Sequence, residues 1–163
     1  MDPPRRAARG SRRPGPGADQ CLLGSHAARA PRTPRSRAEL GDQMDALPPV
    51  FIHGDCHTDN LVHSVGSVVF CDWQAVGIGR PASDLAFLSV RSTPAGTTVP
   101  QSLIDAYVDN RPCERPTVQR ALLAEELAVF LLLWPLFAAF NSALGIARVR
   151  RRTLDLAERW LDA

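Results

Sequence analysis

The chain has 163 residues, of which 45% are hydrophobic, so it is long enough for one domain with a buried core. Its formal charge of +2 is uneven: residues 1–37 carry a net charge of +7, from nine Arg and two Asp, and residues 38–163 carry −5, from ten Arg and fifteen acidic residues. The four Cys form no CxxC pair and no apolar signal segment is visible near the first residue, which excludes a zinc ribbon and favours a reduced, cytoplasmic setting.

Residues 1–37 are predicted to be a disordered leader. They contain six Pro and four Gly but no Val, Ile, Phe, Trp or Tyr, so they bury too little apolar surface to offset the entropy of ordering. A basic arm of this kind can contact nucleic acid, but a solvated tail is the simpler interpretation, and we expect no nucleic-acid partner. The folded domain is therefore predicted to span residues 38–163.

Short elements are predicted for the first part of that domain. Apolar runs bounded by Pro and Gly predict strands, and Gly66 between two such runs predicts a β-hairpin. The Ser83-Asp84 pair before an apolar run is typical of a helix N-cap. In chain order, the predicted elements are a helix (38–47), a strand (50–52), a hairpin (61–70), a loop with Gly77 and Gly79 (71–82) and a helix (85–90).

Helices are predicted for the rest of the chain, over residues 101–108, 117–140 and 146–161, with a kink at Pro135. Residues 127–147 carry no charge and are long enough for a membrane span, but Pro135 and several polar residues favour a buried core helix, with Trp134, Phe137 and Phe140 in the core. We expect no membrane association. The arginines of residues 148–152 are expected to form a solvated helix face. The predicted fold class is α+β, mostly helical with a short hairpin.

Three oxygen-bearing side chains follow the predicted strands. Asp55 lies just after strand 50–52, Asn60 lies just before the hairpin, and Asp72 comes directly after it. A hairpin brings its two ends together, so Asn60 and Asp72 are expected to be neighbours. One amide oxygen and one carboxylate suffice for Mg²⁺, which keeps water and phosphate oxygens as its other ligands. A carboxylate in the place of Asp55 can accept the proton of a substrate hydroxyl.

The residue pattern resembles that of a known family. Residues 53–60, His-Gly-Asp-Cys-His-Thr-Asp-Asn, resemble the catalytic loop of the aminoglycoside phosphotransferase and choline-kinase-like family. The segment from Asp72-Trp73-Gln74 through Gly79 to Ser83-Asp84-Leu85-Ala86 resembles the family's metal-binding segment and the helix that follows it. The order of the two motifs and the hairpin between them also agree with the family.

This resemblance implies a protein-kinase-like C-terminal lobe that uses ATP and magnesium to phosphorylate a hydroxyl of a small molecule. It implies that Asp55 is the catalytic base, that Asn60 and Asp72 bind magnesium, and that His53 and Asp84 support the catalytic loop. The acceptor is not identified by the motifs: aminoglycosides, macrolides, choline-like amines, sugars and lipid precursors all fit.

The chain also departs from the family pattern. A nucleotide-binding lobe with a phosphate-binding Lys is expected before residue 38, yet all 19 basic residues are Arg, and Arg is not equivalent to Lys in shape or hydration. We therefore interpret the chain as a C-terminal lobe fragment, inactive unless a separate N-terminal lobe joins it. The alternatives are a non-catalytic remnant or binding module, and a metal-dependent hydrolase that uses the His53-x-Asp55-x-His57 triplet.

Overall fold

The computed structural model describes residues 36–163, and the disorder predicted for residues 1–37 falls almost entirely outside the described residues. The described part is mainly helical with two small antiparallel sheets, which is compatible with the predicted α+β class. The helices are α1 (Arg37–Met44), α2 (Ser83–Ser92), α3 (Gln101–Asp109), α4 (Arg115–Phe140) and α5 (Ala143–Asp162), and the strands are β1 (Val50–Ile52), β2 (Leu61–Ser64), β3 (Ser67–Phe70) and β4 (Gly77–Gly79).

The predicted hairpin is confirmed, and a second strand pair accompanies it. β2 pairs with β3 in the register Leu61↔Phe70 to Ser64↔Ser67, with Gly66 in the turn at a φ of 75°. β1 pairs with β4, which the sequence had predicted to be loop. Two of the three β4 residues are Gly, so the strand lacks the alternation of side chains from which strands are predicted.

Helix ends follow local capping chemistry. α1 begins at Arg37 because Ser36 and Glu39 form a capping box, in which each side chain accepts a hydrogen bond from the other's backbone N–H. α5 begins three residues before its predicted start, since the Ser142 side chain caps it by accepting from the Gly145 N–H.

The core is organised around α4, which packs against α1, α2, α3 and α5. Phe130 and Leu156 are fully buried where α4 and α5 meet, and burial of such a side chain contributes about 1.5–3 kcal/mol. The main cluster comprises Val90, Leu123, Leu127, Phe130, Phe137, Val149, Leu156 and Trp160.

The two halves of α4 differ in burial. Its first half is buried in the core, but its last two turns, which belong to the stretch predicted to be a buried core helix, are largely exposed: Phe137 is buried, whereas Trp134 is 37% exposed and Phe140 is 81% exposed. The prediction of a core position is therefore confirmed for Phe137 and wrong for Trp134 and Phe140. Within residues 36–163, α4 is the one helix with the length and composition to cross a membrane, and half of its most apolar window is buried inside the fold.

Candidate active site

In each of the two strand pairs, the pairing brings together the chain segments at one end of the pair. Ile52 pairs with Gly77, so β1 ends where β4 begins, and the loop after β1 lies beside the segment before β4. Leu61 pairs with Phe70, so β2 begins where β3 ends. The backbone N–H of Cys71 donates to the carbonyl of Asn60 at 2.9 Å. Asp72 therefore directly follows a residue that is hydrogen-bonded to Asn60.

Asp55 and Asn60 are in direct contact. The Asn60 side-chain amide nitrogen lies 2.9 Å from the Asp55 carbonyl oxygen and 3.1 Å from Asp55 Oδ2. Asn60 is buried, whereas the Asp55 side chain is 39% exposed to solvent. Because the amide nitrogen of Asn60 is committed to Asp55, its Oδ1 is the atom that remains for a cation.

Asp72 has an unusual backbone. Its φ is 60°, and it is the one non-glycine residue of the described part with positive φ. Such a conformation costs about 1–2 kcal/mol for a non-glycine residue, and strain of this kind is concentrated at functional sites. No hydrogen bond or ion pair to the Asp72 carboxylate occurs among residues 36–163, so this exposed side chain is available to a ligand.

His53 connects the two loops. Its ring Nδ1 accepts from the Asp55 backbone N–H at 3.3 Å, and its Nε2 lies 2.8 Å from the Cys71 carbonyl oxygen. These partners fit a neutral imidazole that carries its proton on Nε2. The ring is buried and lies 4.6 Å from the Trp73 ring. His53 therefore fixes the residue before Asp72 relative to Asp55.

Asp84 holds the start of the loop after β1, as the family resemblance implied. Its two carboxylate oxygens accept hydrogen bonds from the backbone N–H groups of His53, at 2.7 Å, and Gly54, at 2.9 Å. The N-cap interpretation is wrong, because the N-cap of α2 is Ala82, which makes no side-chain hydrogen bond. The carboxylate instead binds backbone groups that lie 30 and 31 residues earlier in the chain.

Gly54 allows a close backbone approach between the two loops. Its φ is 82°, and a Cβ atom on it would lie 2.2 Å from the carbonyl oxygen of Ala75. No L side chain fits there, so the glycine is required by the contact with the short 3₁₀ helix Trp73–Ala75.

His57 lies between two carboxylates. Its Nε2 is 3.5 Å from Asp55 Oδ2 and its Nδ1 is 3.5 Å from Asp59 Oδ2. The metal triplet of the hydrolase alternative has no support here: both ring nitrogens of His53 are occupied, and no group of three His, Cys, Asp or Glu side chains in the described part could hold a metal ion. Asn is not one of these four residue types, so this finding does not concern a site that includes the Asn60 amide oxygen.

Cys56 is buried next to Asp55. Burial, with the nearby carboxylates of Asp84 and Asp55, raises the pKa of its thiol from 9.0 to about 11. The thiol is therefore protonated at neutral pH and acts as a small apolar side chain, since only the thiolate is a nucleophile.

Arg80 and Glu125 form an ion pair that the sequence did not reveal. Arg80 Nε lies 2.9 Å from Glu125 Oε2, and Glu125 is buried on α4. Burial raises the pKa of the Glu125 carboxyl and the guanidinium of Arg80 opposes that increase. Arg80 follows β4 directly, so the pair anchors the far end of the segment that begins at Asp72.

A model of the phosphotransferase enzyme family matches residues 3–117. The match covers well over half of the chain, includes the two loops described above and extends into the predicted leader. No curated protein and no solved structure is significantly similar to the chain. On the family match, which confirms the resemblance of the two motifs, the chain belongs to the phosphotransferase enzyme family.

Proposed function

We propose that this chain transfers the γ-phosphoryl group of ATP to a hydroxyl of a small molecule, with Mg²⁺, and that residues 38–163 form a protein-kinase-like C-terminal lobe. Membership of the phosphotransferase enzyme family supports the reaction class. The observation that carries the residue assignment is the contact between Asp55 and Asn60, with Asp72 next to a residue hydrogen-bonded to Asn60.

In this proposal Asp55 orients the acceptor hydroxyl and accepts its proton. The hydrogen bond from Asn60 fixes the Asp55 carboxylate, and the buried His53 and Asp84 fix the loop that carries it. Asn60 Oδ1 and the exposed Asp72 carboxylate are the oxygens that would hold Mg²⁺. The donor set suits this hard cation, which would neutralise charge on the phosphates when bound.

The partners and location are also proposals. The acceptor is a hydroxylated small molecule, and a separate N-terminal lobe supplies the Lys that this chain lacks. A cytoplasmic setting fits the use of ATP. The absence of Lys favours a second candidate, a binding module without catalytic activity, because the usual phosphate-binding Lys cannot come from this chain.

A phosphoryl-transfer assay with γ-labelled ATP, Mg²⁺ and a panel of hydroxylated acceptors tests the proposal. We expect label transfer by the chain, alone or with its N-terminal lobe, and a loss of about 10²–10⁴-fold in the Asp55→Asn variant, the range typical of general bases. Asp109→Asn, which alters an exposed carboxylate paired with Arg115, is the matched control. Binding of Mg-ATP without any transfer would support the binding module, and equal activity of Asp55→Asn would remove Asp55 from the mechanism.

A further inference from the structure

A cavity of about 660 Å³ lies among α2, α3, α4 and α5. This volume is within the range of small-molecule sites, about 300–1,000 Å³. Its walls come from the end of α2, the segment before α3, the first half of α4 and the last turns of α5. No residue of the catalytic loop or of the segment after β3 lines it, so the phosphotransfer proposal leaves this cavity without a role.

α2 separates the cavity from the candidate active site. Asp84 hydrogen-bonds the catalytic loop, and the Phe87 ring contacts His57 with centroids 6.2 Å apart. Ser89 lines the cavity instead. Two residues along an α-helix correspond to a rotation of about 200°, so Ser89 and Phe87 lie on opposite sides of α2.

The cavity has an apolar floor. Leu122 and Leu123 of α4 line it and are buried, and Val99 and Ile104 add to the same apolar surface. A ligand with an alkyl chain or a ring would remove this surface from water at a gain of about 25 cal/mol per Å².

Three arginines stand around the floor, and a buried carboxylate neutralises one of them. Glu126 is buried, but its carboxylate is neutralised by Arg152, whose Nε and Nη2 donate to it at 2.7–3.0 Å, and Ser89 also donates to it. Arg120 and Arg159 line the cavity, are exposed, and form no ion pair with another described residue. Asp162 also lines the cavity.

We propose that this cavity binds a small amphipathic anion, whose carboxylate or phosphate group is held by Arg120 and Arg159 and whose apolar part packs on Leu122 and Leu123. Guanidinium groups form two parallel hydrogen bonds with such oxyanions, and both arginines have donors that no acidic side chain takes up. A polycationic ligand would be repelled by the same two arginines. The proposal does not depend on phosphotransfer.

The test compares three ligands with the same apolar chain and different head groups. The full-length protein, with ¹³C-labelled Ile and Leu methyl groups, is titrated with octyl phosphate, octyl glucoside and octylammonium, each below its micelle concentration, and observed by NMR. We expect octyl phosphate to give saturable shifts of the Ile104, Leu122 and Leu123 methyl signals. We also expect it to bind at least about tenfold more tightly than octyl glucoside. The phosphate accepts hydrogen bonds between charged groups from the two arginines, and these are stronger than the hydrogen bonds that a neutral sugar can form.

Variants then test the two arginines. Replacing Arg120 and Arg159 together by Gln is expected to lower the affinity for octyl phosphate about tenfold, whereas Arg150→Gln, an exposed arginine of α5 outside the cavity, leaves it unchanged. If the double variant fails to fold, Gln119→Glu, on the exposed part of the lining, is expected to weaken binding instead. Equal affinity for all three ligands, or shifts confined to Leu132 and Leu136 on the exposed end of α4, would overturn the proposal.

Discussion

The carboxylate of Asp84 lies 2.7 Å from the backbone nitrogen of His53, a contact that joins the first turn of α2 to the start of the loop after β1. The same carboxylate also accepts from Gly54. One side chain thus accepts from two successive backbone donors, the part-buried N–H of His53 and the exposed N–H of Gly54. The position of the candidate base is therefore set by a residue that makes no contact with Asp55 itself.

Removing this carboxylate is expected to destabilise the protein. Asp84→Ala leaves the part-buried His53 N–H without an acceptor and the exposed Gly54 N–H to water, and since a hydrogen bond to a charged group contributes about 1.5–3 kcal/mol, we expect the free energy of unfolding to fall by about 3 kcal/mol. Asp109→Ala, which removes an exposed ion pair with Arg115, should cost less than about 1 kcal/mol. Urea denaturation of both variants measures the difference, and equal losses would show that the Asp84 contact is not structural.

Gly54→Ala and Gly66→Ala form a matched pair. Both glycines have positive φ, but a Cβ at Gly54 would lie 2.2 Å from the Ala75 carbonyl oxygen, whereas one at Gly66 meets nothing within 4 Å. Gly66→Ala should therefore cost only the backbone strain, about 1–2 kcal/mol. Gly54→Ala should cost about 2 kcal/mol more, because one of the two loops must move. Similar unfolding free energies for the two variants would contradict the close approach.

The ion pair between Arg80 and Glu125 predicts a pH dependence. Arg80→Ala leaves a buried carboxyl unpaired and should cost about 3 kcal/mol at neutral pH. Burial raises the pKa of Glu125 in the folded state, so the folded state binds the proton of this carboxyl more tightly than the unfolded state does. The resulting stabilisation is present at low pH and is lost as pH rises through that pKa. Without Arg80 the pKa rises further.

The destabilisation by Arg80→Ala should accordingly be smaller at pH 5 than at pH 8, as measured by urea unfolding at both values. Arg115→Ala, whose partners Asp105 and Asp109 are exposed, is the control and should show little change with pH. A loss for Arg80→Ala that is the same at both pH values would contradict the buried-carboxyl explanation.

Cys56 should resist alkylation in the native protein. With a pKa of about 11, about one thiol in a thousand is ionised at pH 8, and the side chain is also buried. Cys71 and Cys113 are partly exposed. After treatment with iodoacetamide, peptide mass analysis should find Cys56 unmodified while Cys71 and Cys113 react, and urea should remove the protection. Rapid native labelling of Cys56 would show that the site is more open than described.

The parts of this site that were predictable from sequence are those with local signals. The hairpin was visible because two apolar runs flank Gly66, and the neighbouring positions of Asn60 and Asp72 in the fold follow from its register. β4 was missed because glycines carry no hydrophobic pattern, although its pairing with β1 is what brings the two loops to the same end.

Long-range polar contacts left no local signal. Glu125 and Glu126 lie at the edge of the uncharged stretch and carry no sequence signal of burial, yet both are buried and paired with arginines. Arg152 was expected on a solvated face but donates to Glu126. Asp84 fits the pattern of an N-cap equally well, and only the resemblance to the family pointed to its contact with the loop.

The most direct test of the central claim asks whether Asn60 and Asp72 hold one divalent cation beside Asp55. Mn²⁺ added with a non-hydrolysable ATP analogue broadens nearby NMR signals, and the backbone amides of ¹⁵N-labelled protein report its position. The account predicts selective broadening of residues 55–60 and 71–74 in the unmodified protein, lost in Asp72→Ala and retained in Asp109→Ala. Broadening that is confined to other residues, or that persists unchanged in Asp72→Ala, would contradict it.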